Sequence, residues 1–222
     1  MTEKNNKKNI ALIIYIIIFY AVWTLYTFYA DGPVGDSIKN AAVEQIVKEG
    51  IIKNLVWTLP AMLLIHHFSA DVYIKLKEMF CTKVKWLRYL PVFILFTAYV
   101  LGSEYLSTGK IEINKDFGAA SIVIVLFVGI TEEMVFRGWL LNATVKKEKQ
   151  WLPIAVNAVL FTLIHFPIWI VEGTLTANIT SFGFLFITML SVIFSITFLK
   201  SRSIVVPVLL HMYWDLLAFM FF

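Results

Sequence analysis

Charge is scarce in this chain. Asp, Glu, Lys and Arg make up 15% of its 222 residues, and 59% of the residues are hydrophobic. A soluble domain of similar length carries roughly 25% charged and about 45–50% apolar residues. The composition therefore argues against an ordinary soluble domain and indicates a polytopic membrane protein, and the length alone does not suggest a second domain.

Cysteine is nearly absent as well. The only one is Cys81, so an intrachain disulfide framework is excluded. No cleavable signal peptide is expected either, because the first apolar run is too long for a signal segment and no small-residue cleavage site follows it.

Long hydrophobic runs recur along the whole sequence and predict an all-α bundle of about seven spanning helices. Each run is close to the ~20 residues that a helix needs to cross the bilayer. The predicted spans are Ile10–Tyr29, Ile51–Phe68, Trp86–Leu106, Phe117–Leu141, Trp151–Val171, Ile179–Leu199 and Ile204–Phe222.

The basic residues predict the orientation of this bundle. With the N-terminus in the cytoplasm, thirteen lysines and arginines fall on the inside and five on the outside, as the positive-inside rule requires. The inside set is Lys4, Lys7, Lys8, Lys75, Lys77, Lys83, Lys85, Arg88, Lys146, Lys147, Lys149, Lys200 and Arg202; the outside set is Lys39, Lys48, Lys53, Lys110 and Lys115. The net charge of +4 is thus explained by topology, and no nucleic-acid partner is expected.

The connections between the spans are short, and the longest is expected around "DGPVGDSIKN". No internal repeat is visible, which disfavours an ion or proton carrier built from repeated halves. We therefore expect residues 1–222 to form a single integral-membrane domain.

The stretch "ITEEMVFRGW" places three ionisable side chains within the fourth predicted span. A charge at the centre of a membrane helix costs about 2.5–3.5 kcal/mol, so such residues face the bundle interior and mark functional sites. Glu133 and Arg137 are four residues apart and can pair on one helix face. Glu132 lies about 140° from Arg137, assuming about 100° per residue. Glu132 thus has no partner in its own helix and suits a general base or acid.

Later spans carry two histidines. Asn157, Phe161 and His165 recur every four residues in the fifth span, and His211 and Asp215 are four apart in the seventh. A carboxylate one turn from a histidine can fix its tautomer. Each feature alone fits helix packing, but polar groups on three separate spans favour convergence into one site.

The motifs "EEMVFRG", "FTLIH" and "HMYWD" occur in this order on successive hydrophobic helices. They resemble the EExxxR, FxxxH and HxxxN/D signatures of the CPBP family of CAAX proteases and bacteriocin-processing enzymes, also called Abi or Rce1-like proteases. The resemblance covers about residues 121–222, the expected catalytic core. It implies an intramembrane endopeptidase with an active site open to the cytoplasm.

By this resemblance, Glu132 is the catalytic glutamate, and Glu133 and Arg137 complete its motif. His165 would help Glu132 to activate a water, and His211 with the last polar residue would stabilise the oxyanion. Many relatives have Asn where this chain has Asp215. Because an ionised aspartate cannot donate a hydrogen bond, Asp215 is either neutral in the site or orients His211, and we expect it to orient His211.

A metal-free mechanism is expected, with zinc as the alternative. Two histidines and a carboxylate are a common catalytic zinc set, but the chain has no HExxH pair and three helices would have to supply the ligands.

The expected substrate is a membrane-associated peptide or a lipidated protein, in a multi-pass protein of the cell membrane that contacts the lipid bilayer. The competing interpretation is a non-catalytic immunity or scaffold protein, as in bacteriocin self-immunity, that uses the same polar cluster for packing.

Overall fold

The computed structural model describes residues 3–222, with side chains from Asn6 onward. The side chain of Lys4, one of the basic residues counted above, lies outside the described part. Within residues 3–222 the chain forms helices and no strand. The helices are α1 (residues 3–36), α2 (residues 41–67), α3 (Leu76–Cys81), α4 (Leu90–Thr108), α5 (Ala119–Thr144), α6 (Trp151–Val171), α7 (Leu175–Thr180), α8 (Gly183–Ser201) and α9 (Val205–Phe221).

The predicted all-α membrane bundle is confirmed. Each of the seven apolar segments coincides with a long helix, although the second begins ten residues earlier than predicted, at Ala41. Among the described residues, five helices are long and apolar enough to cross a membrane: α1, α4, α5, α6 and α8. The apolar α9 is shorter. The count of seven spans and the cytoplasmic N-terminus stay predictions.

The stretch predicted as the longest loop, "DGPVGDSIKN", is mostly helical. Asp31–Asp36 continues α1, and only residues 37–40 connect it to α2. Pro33 has no N–H for the helical ladder, and a π-helical turn at Tyr26–Ala30 comes directly before this segment. Such wide turns accommodate a proline-disrupted ladder, so the prediction of a loop here was wrong.

A break in α6 positions one of the candidate histidines. The helix is interrupted at Ile164, directly before His165, because Pro167 cannot donate to the carbonyl of residue 163 and its ring crowds that turn. Side chains of α1 donate to two carbonyls next to this break: Trp23 Nε1 donates to Ile164 O at 2.7 Å, and the Tyr20 hydroxyl donates to Leu160 O. The aromatic face of α1 therefore holds the kink that sets the position of His165.

The two ends of the bundle differ in composition. At the end that we call the lysine-rich end, Lys8 Nζ donates to Ala143 O at 2.7 Å, and Ile204 N donates to Met79 O at 3.0 Å. At the opposite end, Asn114 N donates to Met220 O at 2.7 Å. The basic loops of the predicted inside face thus gather at one end.

The single cysteine allows a direct test of orientation. Cys81 is exposed at the lysine-rich end. If that end is cytoplasmic, a membrane-impermeant maleimide will label Cys81 only after permeabilisation of the cells. A Cys81→Ser/Lys110→Cys variant, with its thiol at the opposite end, will label in intact cells. The reverse pattern would show that the orientation predicted from the basic residues is wrong.

Candidate active site

Glu133 and Arg137 form the ion pair that their spacing predicts. Arg137 Nη1 donates to Glu133 Oε1 at 2.8 Å, and both side chains are fully buried, with 0% exposure. Arg137 Nη2 reaches across to α8, where it donates to the carbonyl and the hydroxyl of Ser191 at 2.9 and 2.6 Å. The pair therefore joins α5 to α8 in the bundle interior.

His211 on α9 lies among three carboxylates. Its Nδ1 donates to Glu133 Oε1 at 2.9 Å, so one carboxylate oxygen accepts from both the arginine and the histidine. The other nitrogen, Nε2, lies 3.5 Å from Asp215 Oδ2 and 3.8 Å from Glu132 Oε2. The His211 ring thus donates a hydrogen bond to Glu133, and Asp215, which was expected to orient the ring, lies at ion-pair distance from its other nitrogen.

Aromatic rings enclose this ionic cluster. Phe194 stacks on His211 with ring centroids 5.0 Å apart and planes 18° apart. The guanidinium of Arg137 lies 4.5 Å from the ring centre of Phe161 and 5.4 Å from that of Phe194. Cation–π attraction is strongest when the groups are desolvated, as they are here. The rings stabilise the buried charges and exclude water from the side of the site that they cover.

Two local features distinguish the charged part of α5. A Cβ on Gly129 would lie 2.9 Å from Met212 Cγ, so glycine allows the two helices to approach closely one turn before Glu133. From Met134 to Leu141 the helix widens into a π-helix that contains Arg137. Such segments occur frequently at functional sites.

Glu132 and His165 line a shared cavity of about 440 Å³. The Glu132 side chain retains 18% exposure, in contrast to the fully buried Glu133. His165 Nδ1 lies 3.2 Å from the carbonyl of Phe161, which can only accept, so this nitrogen carries the proton. His165 Nε2 is then free to accept a hydrogen bond. The ring of Phe161 lies 5.5 Å from that of His165 and 5.9 Å from that of His211, between the two histidines.

The cavity extends from mid-bundle toward the end opposite the lysine-rich end. Side chains from that end of the bundle line it: Asp31, Gln45, Glu172 and Phe219. The orientation predicted from the basic residues makes this end extracytoplasmic, whereas family resemblance predicts a cytoplasmic opening. The geometry makes these two expectations mutually exclusive, and the labelling of Cys81 decides between them.

The site residues do not make a metal centre in this geometry. Within the described part of the chain, no group of three His, Cys, Asp or Glu side chains is arranged to hold a metal ion. We therefore derive no step through zinc, and metal-free catalysis stays a prediction that metal analysis of the active protein will test.

Sequence reasoning missed two residues of the cavity, Glu49 and Lys53 on α2. Lys53 Nζ donates to Glu49 Oε1 at 2.5 Å and lies 4.7 Å from the ring centre of Trp23. Both residues line the cavity with Glu132. Their four-residue spacing was the available signal, and it is the same spacing that identified the Glu133–Arg137 pair.

Removing one member of the buried pair will destabilise the protein more than altering Glu132. Glu133→Gln leaves the buried charge of Arg137 without its counterion, which costs about 3–5 kcal/mol, and Arg137→Ala removes one of the two donors to Glu133 Oε1. We expect a fall in melting temperature in detergent on the order of 10 °C for these variants and a much smaller change for Glu132→Gln. An equal fall in melting temperature in all three variants would contradict the assignment of a structural role to Glu133 and a catalytic role to Glu132.

The comparison with known proteins agrees with the three motifs. Residues 115–217 match the family model described as type II CAAX prenyl endopeptidase Rce1-like. No curated protein and no solved structure matches the chain. The matched region runs from the turn before α5 into α9 and contains the predicted site residues: Glu132, Glu133, Arg137, His165, His211 and Asp215. Residues 115–217 are thus similar to the Rce1-like family of CAAX prenyl endopeptidases, and the five apolar helices that are long enough to cross a membrane fit an integral-membrane peptidase.

Proposed function

We propose that this protein is an intramembrane endopeptidase in which Glu132 activates the hydrolytic water. The contrast between two adjacent glutamates carries the proposal. Glu133 is fully buried and bound to Arg137 and His211, whereas Glu132 lines an accessible cavity together with His165. A carboxylate in a cavity beside a histidine with a free acceptor nitrogen fits general-base chemistry.

In this mechanism a water lies between Glu132 and His165. Glu132 removes a proton from the water, and the oxygen attacks the carbonyl carbon of the scissile peptide bond. His165 Nε2 accepts the second hydrogen bond of the water and orients it, because its Nδ1 proton is engaged by Phe161 O. The protonated Glu132 then delivers its proton to the leaving amine.

His211 supplies the donor for the oxyanion. Its imidazolium form donates Nδ1–H to Glu133 and has Nε2–H available on the side of Glu132 and Asp215. A positioned donor of this kind stabilises the tetrahedral intermediate as its negative charge develops. Glu133 and Arg137 position His211 and do not touch the substrate.

The substrate we propose is a membrane-associated peptide or a lipidated protein, and the protein would act in the cell membrane in contact with the lipid bilayer. The cavity volume lies in the range that accommodates a small segment of substrate. Neither a metal nor a nucleic acid has a part in the proposal.

Replacing the proposed base tests the function directly. In proteoliposomes offered a library of membrane-anchored peptides, we expect wild-type cleavage and a loss of at least about 10³-fold in Glu132→Gln, with the melting temperature nearly unchanged. Glu112→Gln, which alters an exposed carboxylate in the α4–α5 loop, is the matched control and should cleave normally. Full cleavage by folded Glu132→Gln would refute the mechanism. Loss of folding in that variant would favour the non-catalytic packing role.

Asp215 offers a second test. Asn at this position keeps the size of the side chain and adds an N–H donor next to the oxyanion, as in many relatives. We expect Asp215→Asn to retain cleavage within about tenfold and Asp215→Ala to lose about 10²-fold or more. An Asn variant as inactive as the Ala variant would show that the negative charge of Asp215 is required.

A further inference from the structure

Glu49 is a buried carboxylate with an unused oxygen in the wall of the catalytic cavity. The residue is 6% exposed, its Oε1 accepts from Lys53 Nζ, and its Oε2 has no hydrogen-bond partner among the described residues. Buried polar atoms are satisfied in the great majority of cases, and an exception calls for an explanation. Glu49 lies on α2, outside the matched region and outside every motif identified in the sequence.

Glu49 also lies close to the proposed base. A small cavity of about 20 Å³, enough for one water, has Glu49, Lys53, Thr131 and Glu132 in its wall. The larger cavity also includes both glutamates. A group bound to Glu49 Oε2 would therefore lie close to the peptide bond that Glu132 is proposed to hydrolyse.

The charge in the larger cavity is predominantly negative. Its wall contains four carboxylates and two lysines: Asp31, Glu49, Glu132, Glu172, Lys48 and Lys53. Both lysines already have anionic partners, because Lys48 binds Asp31 at 2.8 Å and Lys53 binds Glu49. A cleft lined by one sign of charge attracts the opposite charge from solution.

We propose that Glu49 is a specificity residue that binds a Lys or Arg side chain of the peptide substrate, close to the scissile bond. This inference rests on the proposed endopeptidase function. The substrate cation would donate to Glu49 Oε2 and give that oxygen its missing partner, while the excess negative charge of the cavity draws basic segments toward Glu132. A charge-assisted hydrogen bond in a desolvated site discriminates strongly against a neutral side chain.

The test compares membrane-anchored peptides that differ at one position, scanned through three residues on each side of the cleaved bond. The position holds Lys, the uncharged analogue norleucine, or Glu. For the wild-type protein we expect kcat/KM to be at least about tenfold higher for Lys than for norleucine at one position, and lowest for Glu. In Glu49→Gln the Lys-to-norleucine ratio should fall to about one.

Three further variants separate recognition from general effects. Glu112→Gln should keep the wild-type ratio, and Glu172→Gln, which removes a cavity carboxylate without an unused buried oxygen, should lower it by less than about threefold. Glu49→Gln/Lys53→Met removes both members of the pair, so it avoids an unpaired lysine if the single variant folds poorly. An unchanged ratio in either Glu49 variant, or an equal fall in Glu172→Gln, would overturn the assignment.

Binding of the same peptides to the Glu132→Gln protein separates this inference from the proposed function. If no peptide is cleaved but the protein still binds Lys peptides more tightly than norleucine peptides in a Glu49-dependent way, the endopeptidase proposal fails and the basic-side-chain site stands. If the peptides are cleaved without a preference for Lys, the endopeptidase proposal stands and the assignment of Glu49 fails.

Discussion

One carboxylate oxygen, Glu133 Oε1, holds the site together. It accepts from Arg137 at 2.8 Å and from His211 at 2.9 Å in a fully buried environment. Arg137 continues to Ser191, so three helices meet at a single ionic network. Because each charge would be costly alone in the membrane interior, the network is stable only when all of its members are in place. It therefore fixes the distance between α5 and α9, on which the position of His211 depends.

This constraint explains why two adjacent glutamates have different surroundings. The rings of Phe161 and Phe194 pack over Arg137, and the side chains of Glu133 and Arg137 are fully buried. Glu132 points to the cavity that the kink of α6 and the aromatic side chains of α1 help to shape. The N-terminal third of the chain, which has no motif, thus supplies side chains that support the break in α6. It also supplies part of the cavity wall, through Glu49 and Lys53.

The predictable part of this structure is the part governed by local geometry. A four-residue spacing correctly predicted the Glu133–Arg137 pair, and hydropathy predicted the helices. Contacts between distant residues were not predictable: the bond from His211 to Glu133 spans 78 positions, and the spacing on α9 pointed to Asp215 as its partner. The place of Lys53 in the cavity was not predictable either: the residue was counted with the outside lysines, and a charge count does not show that α2 begins at Ala41 and carries it inward.

The structural role of Glu133 is tested most directly by two double-mutant cycles. His211→Ala is combined with Glu133→Gln in one cycle and with Glu132→Gln in the other. The quantity measured is the free energy of unfolding in detergent. Contacting residues in one network couple by about 0.5–3 kcal/mol. We expect coupling in this range for Glu133 with His211 and much weaker coupling for Glu132, which lies 3.8 Å from the other ring nitrogen. Equal coupling, or stronger coupling through Glu132, would contradict the structural role of Glu133 and the catalytic freedom of Glu132.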